Sequence, residues 1–325
     1  MIRASIAFLQ SILILSFHEK LTASTFIFPL NNRGLTSDSY SFNNDRDKFR
    51  NHKVWKPLFD QEDDEGSDIA GKMNKRFGYV GIIGAPNMGK SSLLNALLKE
   101  DLCIATSKPQ TTRHAILGIL SDEKNGCQLA FLDTPGVIGD PAYKLQESMM
   151  EAVRGVFIDS DILLVVTDLY STPIPSDSIF KKLGETDKPV IVCINKVDLL
   201  GRAKELDDER TYSIEGAVSR WRGYIPKAKL IIPTSVNENN NIDILRQILV
   251  GEGDIPAALR SLGRPIFGMF PDGIKTILEE EARAWVPDSP GFLYNAEELS
   301  DRSERFFCSE LIRASLFERL GKELP

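Results

Sequence analysis

Cysteine is scarce in this 325-residue chain: there are four, Cys103, Cys127, Cys193 and Cys308. They lie far apart and form no CxxC pair, which excludes a disulfide framework and a zinc site of ordinary spacing. They are expected as reduced, small core residues in a reducing compartment. Basic charge is short as well. The net charge is −7 and the pI about 5.2, so there is no overall basic footprint for nucleic acid, although a local basic face stays open. Internal repeats are absent, and so is any long apolar run. The stretch IAFLQSILILSF, Ile6 to Phe17, is too short to span a membrane and has the length of a signal-peptide core.

Hydrophobic residues make up 42% of the chain, enough for a real core. The length suits one large domain plus a smaller one. The first part stands apart. Arg3 and the apolar run are followed by HEKLTASTF and a stretch rich in Ser, Thr, Asn and Asp, so residues 1–72 are expected to be a targeting leader and a disordered spacer. A signal core followed by a Ser/Thr-bearing stretch resembles the two-part leaders of algae with complex plastids. Plastid import is expected first and mitochondrial import second.

From Phe77 to about Val250 apolar runs alternate with helical patterns. AILGIL (Ala115 to Leu120) and CQLAFLD (Cys127 to Asp133) flank the turn SDEKNG and predict a hairpin. DILLVVTD (161–168), KPVIVCINK (188–196) and AKLIIPTS (228–235) are continuous apolar runs, as expected of strands buried on both faces. Helices are expected at Tyr143 to Phe157, Asp177 to Glu185, Asp207 to Trp221 and Ile242 to Val250. The alternation predicts an α/β fold, a doubly wound, mostly parallel sheet with helices on both sides. From 251 to 290 Gly and Pro recur, which suggests a linker or insertion with a short acidic helix near Ile277 to Ala284. A last helix is expected from Asp301 to Leu320, with Cys308, Leu311, Ile312, Leu316 and Leu320 on one face.

The chemistry concentrates in five short stretches. GAPNMGKSS begins at Gly84, between the apolar strand FGYVGII and the helical SSLLNALLKE. Strand, glycine-rich turn and helix is the context in which G-x-x-x-x-G-K-[ST] binds phosphate. Backbone N–H groups curl around the anion and the helix N-terminus adds its positive end. Gly84, Asn87, Met88, Gly89, Lys90, Ser91 and Ser92 are the candidate loop residues. NKVD (Asn195 to Asp198) ends a buried strand. Asp198 can accept two N–H bonds from guanine, a donor pair that adenine does not offer. Asn195 would tie this loop to the phosphate loop, and the Lys196 stem would cover the ring. TSV (Thr234 to Val236) could offer backbone N–H groups to the guanine oxygen, with Ser235 and Val236 as candidates. In DTPG, Asp133 would hold Mg²⁺ through water and the Gly136 N–H would sense the terminal phosphate. In PQTTRH (Pro109 to His114) a threonine hydroxyl can complete the metal shell, and Thr112 is chosen over Thr111.

Together and in this order, GAPNMGKSS, PQTTRH, DTPG, NKVD and TSV resemble the five G motifs of the Era family of GTPases. QTTRH is close to Era in particular. LSDRSERFFCSELIRASLFERLGKELP (Leu299 to Pro325) resembles the start of the RNA-binding KH domain that follows the Era G domain. The resemblance covers about 77–250 and 285–325. It implies a P-loop NTPase of the Ras-like, Era-like kind, with a G domain over 73–250, a connection over 251–290 and the beginning of an incomplete KH domain over 291–325. It further implies GTP and GDP with Mg²⁺ as cofactors and the small ribosomal subunit and its RNA as partners. Lys90 would neutralise phosphate charge, and Ser91, Thr112 and Asp133 would hold the metal. A monomer with a peripheral membrane contact is expected.

Three features depart from the family pattern. The leader is absent from bacterial members, 251–284 looks inserted, and no GxxG loop follows the last helix, so RNA binding is expected to be weakened. After D-x-x-G the water-orienting glutamine of Ras-like enzymes is replaced by Val137, and slow intrinsic hydrolysis is expected. Asn87 matches the asparagine with which some relatives hold K⁺ against the phosphates. The alternative to a hydrolase is a GTP-dependent docking module without significant hydrolysis or RNA binding, the product of a truncated gene model.

Overall fold

The computed structural model describes residues 75–104, 112, 114–139, 141–142, 144–172, 178–200, 213–252 and 279–320. The leader at 1–72, most of PQTTRH and the stretch 253–278 lie outside the described residues. The fold set out here is that of the compact unit containing Gly71–Arg302.

Strand β1 (Lys75–Ile83) enters the protein and is followed by helix α1 (Lys90–Leu98), the hairpin β2 (Ile116–Asp122) and β3 (Cys127–Asp133), and helix α2 (Lys144–Asp159). Then come β4 (Ile162–Asp168), α3 (Ser178–Glu185), β5 (Val190–Asn195), α4 (Ile214–Tyr224), β6 (Leu230–Pro233) and α5 (Ile242–Val250). The sheet order is β2-β3-β1-β4-β5-β6. β2 runs antiparallel to β3, and the β3–β1, β1–β4, β4–β5 and β5–β6 pairs are parallel. This is the mostly parallel P-loop sheet that the alternating pattern predicts.

Both faces are covered, and β2 shows how. Leu117 and Ile119 pack with Val156 of α2, while a Cβ on Gly118 would fall 2.9 Å from Leu98 and 3.2 Å from Leu94 of α1. Neighbouring strand residues point to opposite faces, so α1 and α2 lie on opposite sides. α2, α3 and α4 seal their side through Met149, Val153, Phe180, Leu183, Val218 and Trp221, packed on Ile83, Val165, Val192 and Ile231. All six residues of β5 are buried, which is why its sequence is apolar without alternation.

The segment after α5, expected as a connection, contributes to this sheet. α6 (Glu279–Ala284) is followed by buried Trp285 and Val286, and β7 (Asp288–Ser289) pairs antiparallel with Lys75 and Arg76 of β1. Arg76 also pairs with Cys127 of β3, so β7 lies on the opposite flank of β1, in line with β4. The chain then crosses back over the hairpin. Leu299 accepts from the Ile119 N–H at 2.9 Å, and the Ser300 hydroxyl donates to the Leu117 carbonyl at 2.6 Å. A composition rich in turn residues does not reveal such a crossing, because its bonds depend on which strand lies beneath it. α7 (Glu304–Leu320) carries Ile312 and Leu316 exposed, with Cys308 and Leu311 half-buried.

Candidate nucleotide site

The C-terminal ends of the parallel strands carry the candidate residues, apart from Thr112, which comes from the loop ahead of the antiparallel β2. Gly84 leaves β1 against β4 so closely that a Cβ would lie 2.2 Å from the Val166 carbonyl oxygen. The loop turns through Asn87 (φ 63°) and Gly89 (φ 88°). Left-handed φ suits these two residue types. A Cβ on Gly89 would meet the Asn195 amide nitrogen at 2.5 Å, so a side chain there would push Asn195 off the Met88 carbonyl. Gly89 caps α1 without a side-chain hydrogen bond, leaving the first N–H groups of the helix open to an anion. Ser92, half-buried, is on the first turn.

Lys90 is buried and donates to the Gly84 carbonyl at 3.1 Å and the Ala85 carbonyl at 3.0 Å. Burial pulls its pKa down to about 8, with Asp133 working in the opposite direction. The ammonium is thus folded onto its own loop, where phosphate oxygens would be stronger acceptors than two carbonyls.

Ser91 is the meeting point of the metal candidates. Its hydroxyl donates to Asp133 Oδ2 at 2.6 Å and lies 3.1 Å from the Thr112 hydroxyl. Asp133 is fully buried, and its Oδ1 has no hydrogen-bond partner among the described residues. Burial pushes its pKa up, opposed by Lys90 and by the Ser91 bond. A buried carboxylate oxygen without a donor is costly. Two hydroxyls and that orphaned oxygen suit a hard divalent cation with oxygen ligands and retained waters, so the donor set fits Mg²⁺. Thr111 lies outside the described residues.

DTPG is held to the phosphate loop. The Thr134 hydroxyl donates to the Ile82 carbonyl at 2.7 Å, and the Val137 N–H to the Gly84 carbonyl at 2.9 Å. Gly136 lies against Pro86, where a Cβ would approach within 2.6 Å. Val137 is buried.

The base loop is tied on from the other side. Asn195 donates to the Met88 carbonyl at 3.0 Å, and Lys196 Nζ donates to the Asn87 carbonyl. Asp198 accepts from the Ser235 hydroxyl at 2.6 Å and from the Asn237 amide at 3.3 Å. These bonds, the Ser235 one first, hold its pKa below the usual carboxylate value. One expectation is corrected here. The Ser235 N–H donates to the Asn240 carbonyl at 3.2 Å, and the Thr234 N–H to Ile194 at 2.8 Å, so neither is free for a guanine oxygen. Ser235 acts through its hydroxyl, and of the three residues Val236 keeps the candidate N–H. Asn237 was not singled out in the sequence; a loop asparagine carries no signal until the fold sets it beside Asp198.

These features define a P-loop nucleotide-binding domain of the GTPase class. A family model described as 50S ribosome-binding GTPase matches residues 79–196. The chain is 32% identical over 250 residues to GTPase Era of Marinobacter nauticus, covering 77% of this chain and 67% of that protein. It is 30% identical over 274 residues to a GTPase ERA-like, chloroplastic protein of Oryza sativa subsp. japonica, covering 82% of this chain and 53% of that one. A crystal structure of Era in complex with MgGDPNP and nucleotides 1506–1542 of 16S ribosomal RNA superposes with a TM-score of 0.54 at 28% identity, covering 74% of this chain and 66% of that chain. The chain belongs to the Era family of GTPases. It spans about two thirds of its bacterial relative and about half of the rice one.

Proposed function

We propose that this protein is a guanine-nucleotide switch that binds GTP and GDP with Mg²⁺, hydrolyses GTP slowly, and assists small-subunit maturation through ribosomal RNA in a plastid. The observation that carries the nucleotide reading is the buried, unpartnered Asp133 Oδ1 beside the Ser91 and Thr112 hydroxyls at the mouth of the phosphate loop. Ser91 and Thr112 would ligate the ion and Asp133 would hold it through water. When bound, the ion supplies charge neutralisation for the phosphates. Lys90 exchanges its two carbonyl acceptors for phosphate oxygens, whose charge keeps it protonated. The uncapped start of α1 would bind the same phosphates, and the Gly136 N–H would read the terminal one. Asn195 and Lys196 bind the base loop to the phosphate loop, which holds the base and phosphate sites together.

The RNA partner is supported by the Era complex with 16S ribosomal RNA, and the plastid by the chloroplast relative. In this reading 1–72 is leader and spacer, 73–250 the G domain, 251–290 the connection and 291–325 the opening of an RNA-binding domain. We further take the protein to be a monomer with a peripheral membrane contact. No helix among the described residues is long and apolar enough to cross a membrane.

Slow turnover follows from Val137, whose buried side chain has no group to orient water. We assign K⁺ to Asn87, the exposed turn of the loop. Hydrolysis should then be faster in K⁺ than in Na⁺, and Asn87→Ala should remove the difference; equal rates in both salts would sink this assignment. For the base, Asp198→Asn should weaken GTP and strengthen xanthosine triphosphate, and unchanged GTP binding would refute it. Single-turnover hydrolysis with and without small subunits separates a hydrolase from a docking module, which would show none in either case.

A further inference from the structure

Resting on the guanine reading above, we propose that Asn237 is a specificity residue: its side-chain amide holds the place on Asp198 that the guanine 2-amino group takes when the base arrives.

The loop that presents Asn237 is closed and specific. Ser235 and Asn240 exchange two backbone bonds, at 3.2 and 2.8 Å. Asn239 (φ 51°) and Asn241 (φ 59°) take left-handed backbone, which asparagine tolerates better than most residues. The Ser235 hydroxyl accepts from the Glu238 N–H at 3.2 Å, so its single proton is directed to Asp198 Oδ1 at 2.6 Å. Ser235 is buried. One carboxylate oxygen is therefore held permanently by an inner donor.

The other oxygen is different. Oδ2 receives the Asn237 Nδ2 at 3.3 Å, a long bond from an exposed side chain. A carboxamide N–H and an exocyclic 2-amino N–H are the same kind of donor for the same acceptor. The exposed, longer bond is the one that exchanges. A guanine nucleotide replaces Asn237 on Oδ2. A hypoxanthine nucleotide has no 2-amino group and leaves Asn237 in place, so the oxygen stays paired. Asn237 thereby lowers the penalty that a missing donor would otherwise impose and narrows the preference for guanine over hypoxanthine.

The test compares GDP and inosine diphosphate affinities of the full chain and of Asn237→Ala by fluorescent-nucleotide displacement. The substitution is on the exposed tip of a loop, and thermal unfolding checks that the fold is kept. The expected result is GDP binding tighter by about fivefold with inosine diphosphate unchanged or weaker, so that the ratio of the two rises about fivefold or more. An unchanged ratio overturns the proposal. So does weaker GDP binding, which would make Asn237 a strut for Asp198. Asp198→Asn in the same assay, with xanthosine diphosphate added, keeps the two readings apart. If it leaves GDP binding intact, the guanine reading itself fails. If it transfers preference to the xanthine nucleotide while Asn237→Ala leaves the ratio flat, only the role of Asn237 fails.

Discussion

β3 has a buried polar side chain near each end, and the two are treated in opposite ways. Gln128, near its start, is fully buried. It donates to the Ser121 hydroxyl at 2.9 Å and the Tyr294 carbonyl at 2.8 Å, and accepts from the Leu293 and Tyr294 N–H groups at 2.9 and 3.0 Å. Asp133, at its other end, is just as buried and is left with an orphaned oxygen. A satisfied buried amide fastens the chain. An unsatisfied buried carboxylate costs stability and persists where a ligand completes it. The two ends of the sheet divide accordingly. At the far end Arg76 donates to the Val250 carbonyl at 2.7 Å and Arg283 to Gly251 at 3.2 Å. At the nucleotide end the hydrogen bonds of Lys90 among the described residues go to its own loop, and α1 starts without a side-chain cap.

Breaking the satisfied end should have the largest effect. Gln128→Ala leaves the Leu293 and Tyr294 N–H groups and the Tyr294 carbonyl without their partner. A loss of about 3 kcal/mol of folding stability is expected in urea denaturation, with GDP affinity of the folded protein unchanged. A loss below about 1 kcal/mol would mean that water replaces the amide and that the contrast with Asp133 does not hold.

The converse experiment sharpens the comparison. Asp133→Asn removes a buried charge whose Oδ1 has no partner among the described residues and for which burial outweighs the Lys90 and Ser91 interactions, so stability without nucleotide should not fall. Mg²⁺-dependent tightening of GTP binding should drop by about 10- to 100-fold, the usual cost of removing an outer-sphere carboxylate. Undiminished Mg²⁺ dependence would disprove the assignment of this carboxylate.

Lys90 gives a pH test of the same kind. Its folded pKa of about 8 lies below the ordinary 10.5, so between those values the unfolded chain holds more protons than the folded one. For this group stability therefore rises with pH across that window. Lys90→Met should be more stable than the wild type at pH 7 without nucleotide, by on the order of 2 kcal/mol. The gap should close from pH 8 towards 10.5. The buried cysteines, whose pKa values burial pushes up, lose stability as pH rises above 9, but they are common to both proteins and cancel. A gap independent of pH would show that Lys90 is not strained by burial.

The smallest effect should come from Lys188, at the far end before β5. Its ammonium donates to the Phe157, Ile158 and Ser160 carbonyls at 2.9, 2.6 and 2.7 Å, closing the C-terminus of α2. Lys188→Met keeps the apolar stem and removes the donors, which should cost about 1 kcal/mol in thermal unfolding and leave nucleotide binding alone. An equal loss in Lys188→Arg would point to packing instead.

Much of this was legible before the structure. The strand predicted at 161–168 is seen at Ile162–Asp168, and the helix at Ile242–Val250 has those bounds. Long apolar runs leave a buried strand little freedom to be anything else. The helix expected from Asp207 is described from Ile214, with 201–212 outside the described residues. The stretch from Glu279 to Ser300 was not legible as part of the sheet. Its Gly and Pro content marks irregular backbone, and irregular backbone can equally hang free or, as here, cross a hairpin.

The sequence by itself determined the strand–loop–helix that carries Lys90 and Ser91, the buried strands ending in Asp133 and Asn195, and the chemical kind of each candidate group. Those follow from local spacing and from the solvent each run can tolerate. Only the tertiary structure decided which groups meet. Ser91 reaches Asp133 because β3 neighbours β1, Ser235 reaches Asp198 because β6 neighbours β5, and Gln128 is matched by Leu293 and Tyr294 because the chain returns over β3. Strand order is set by how apolar faces are shared among helices, and hydrogen bonds between distant residues inherit it. No local pattern contains that information.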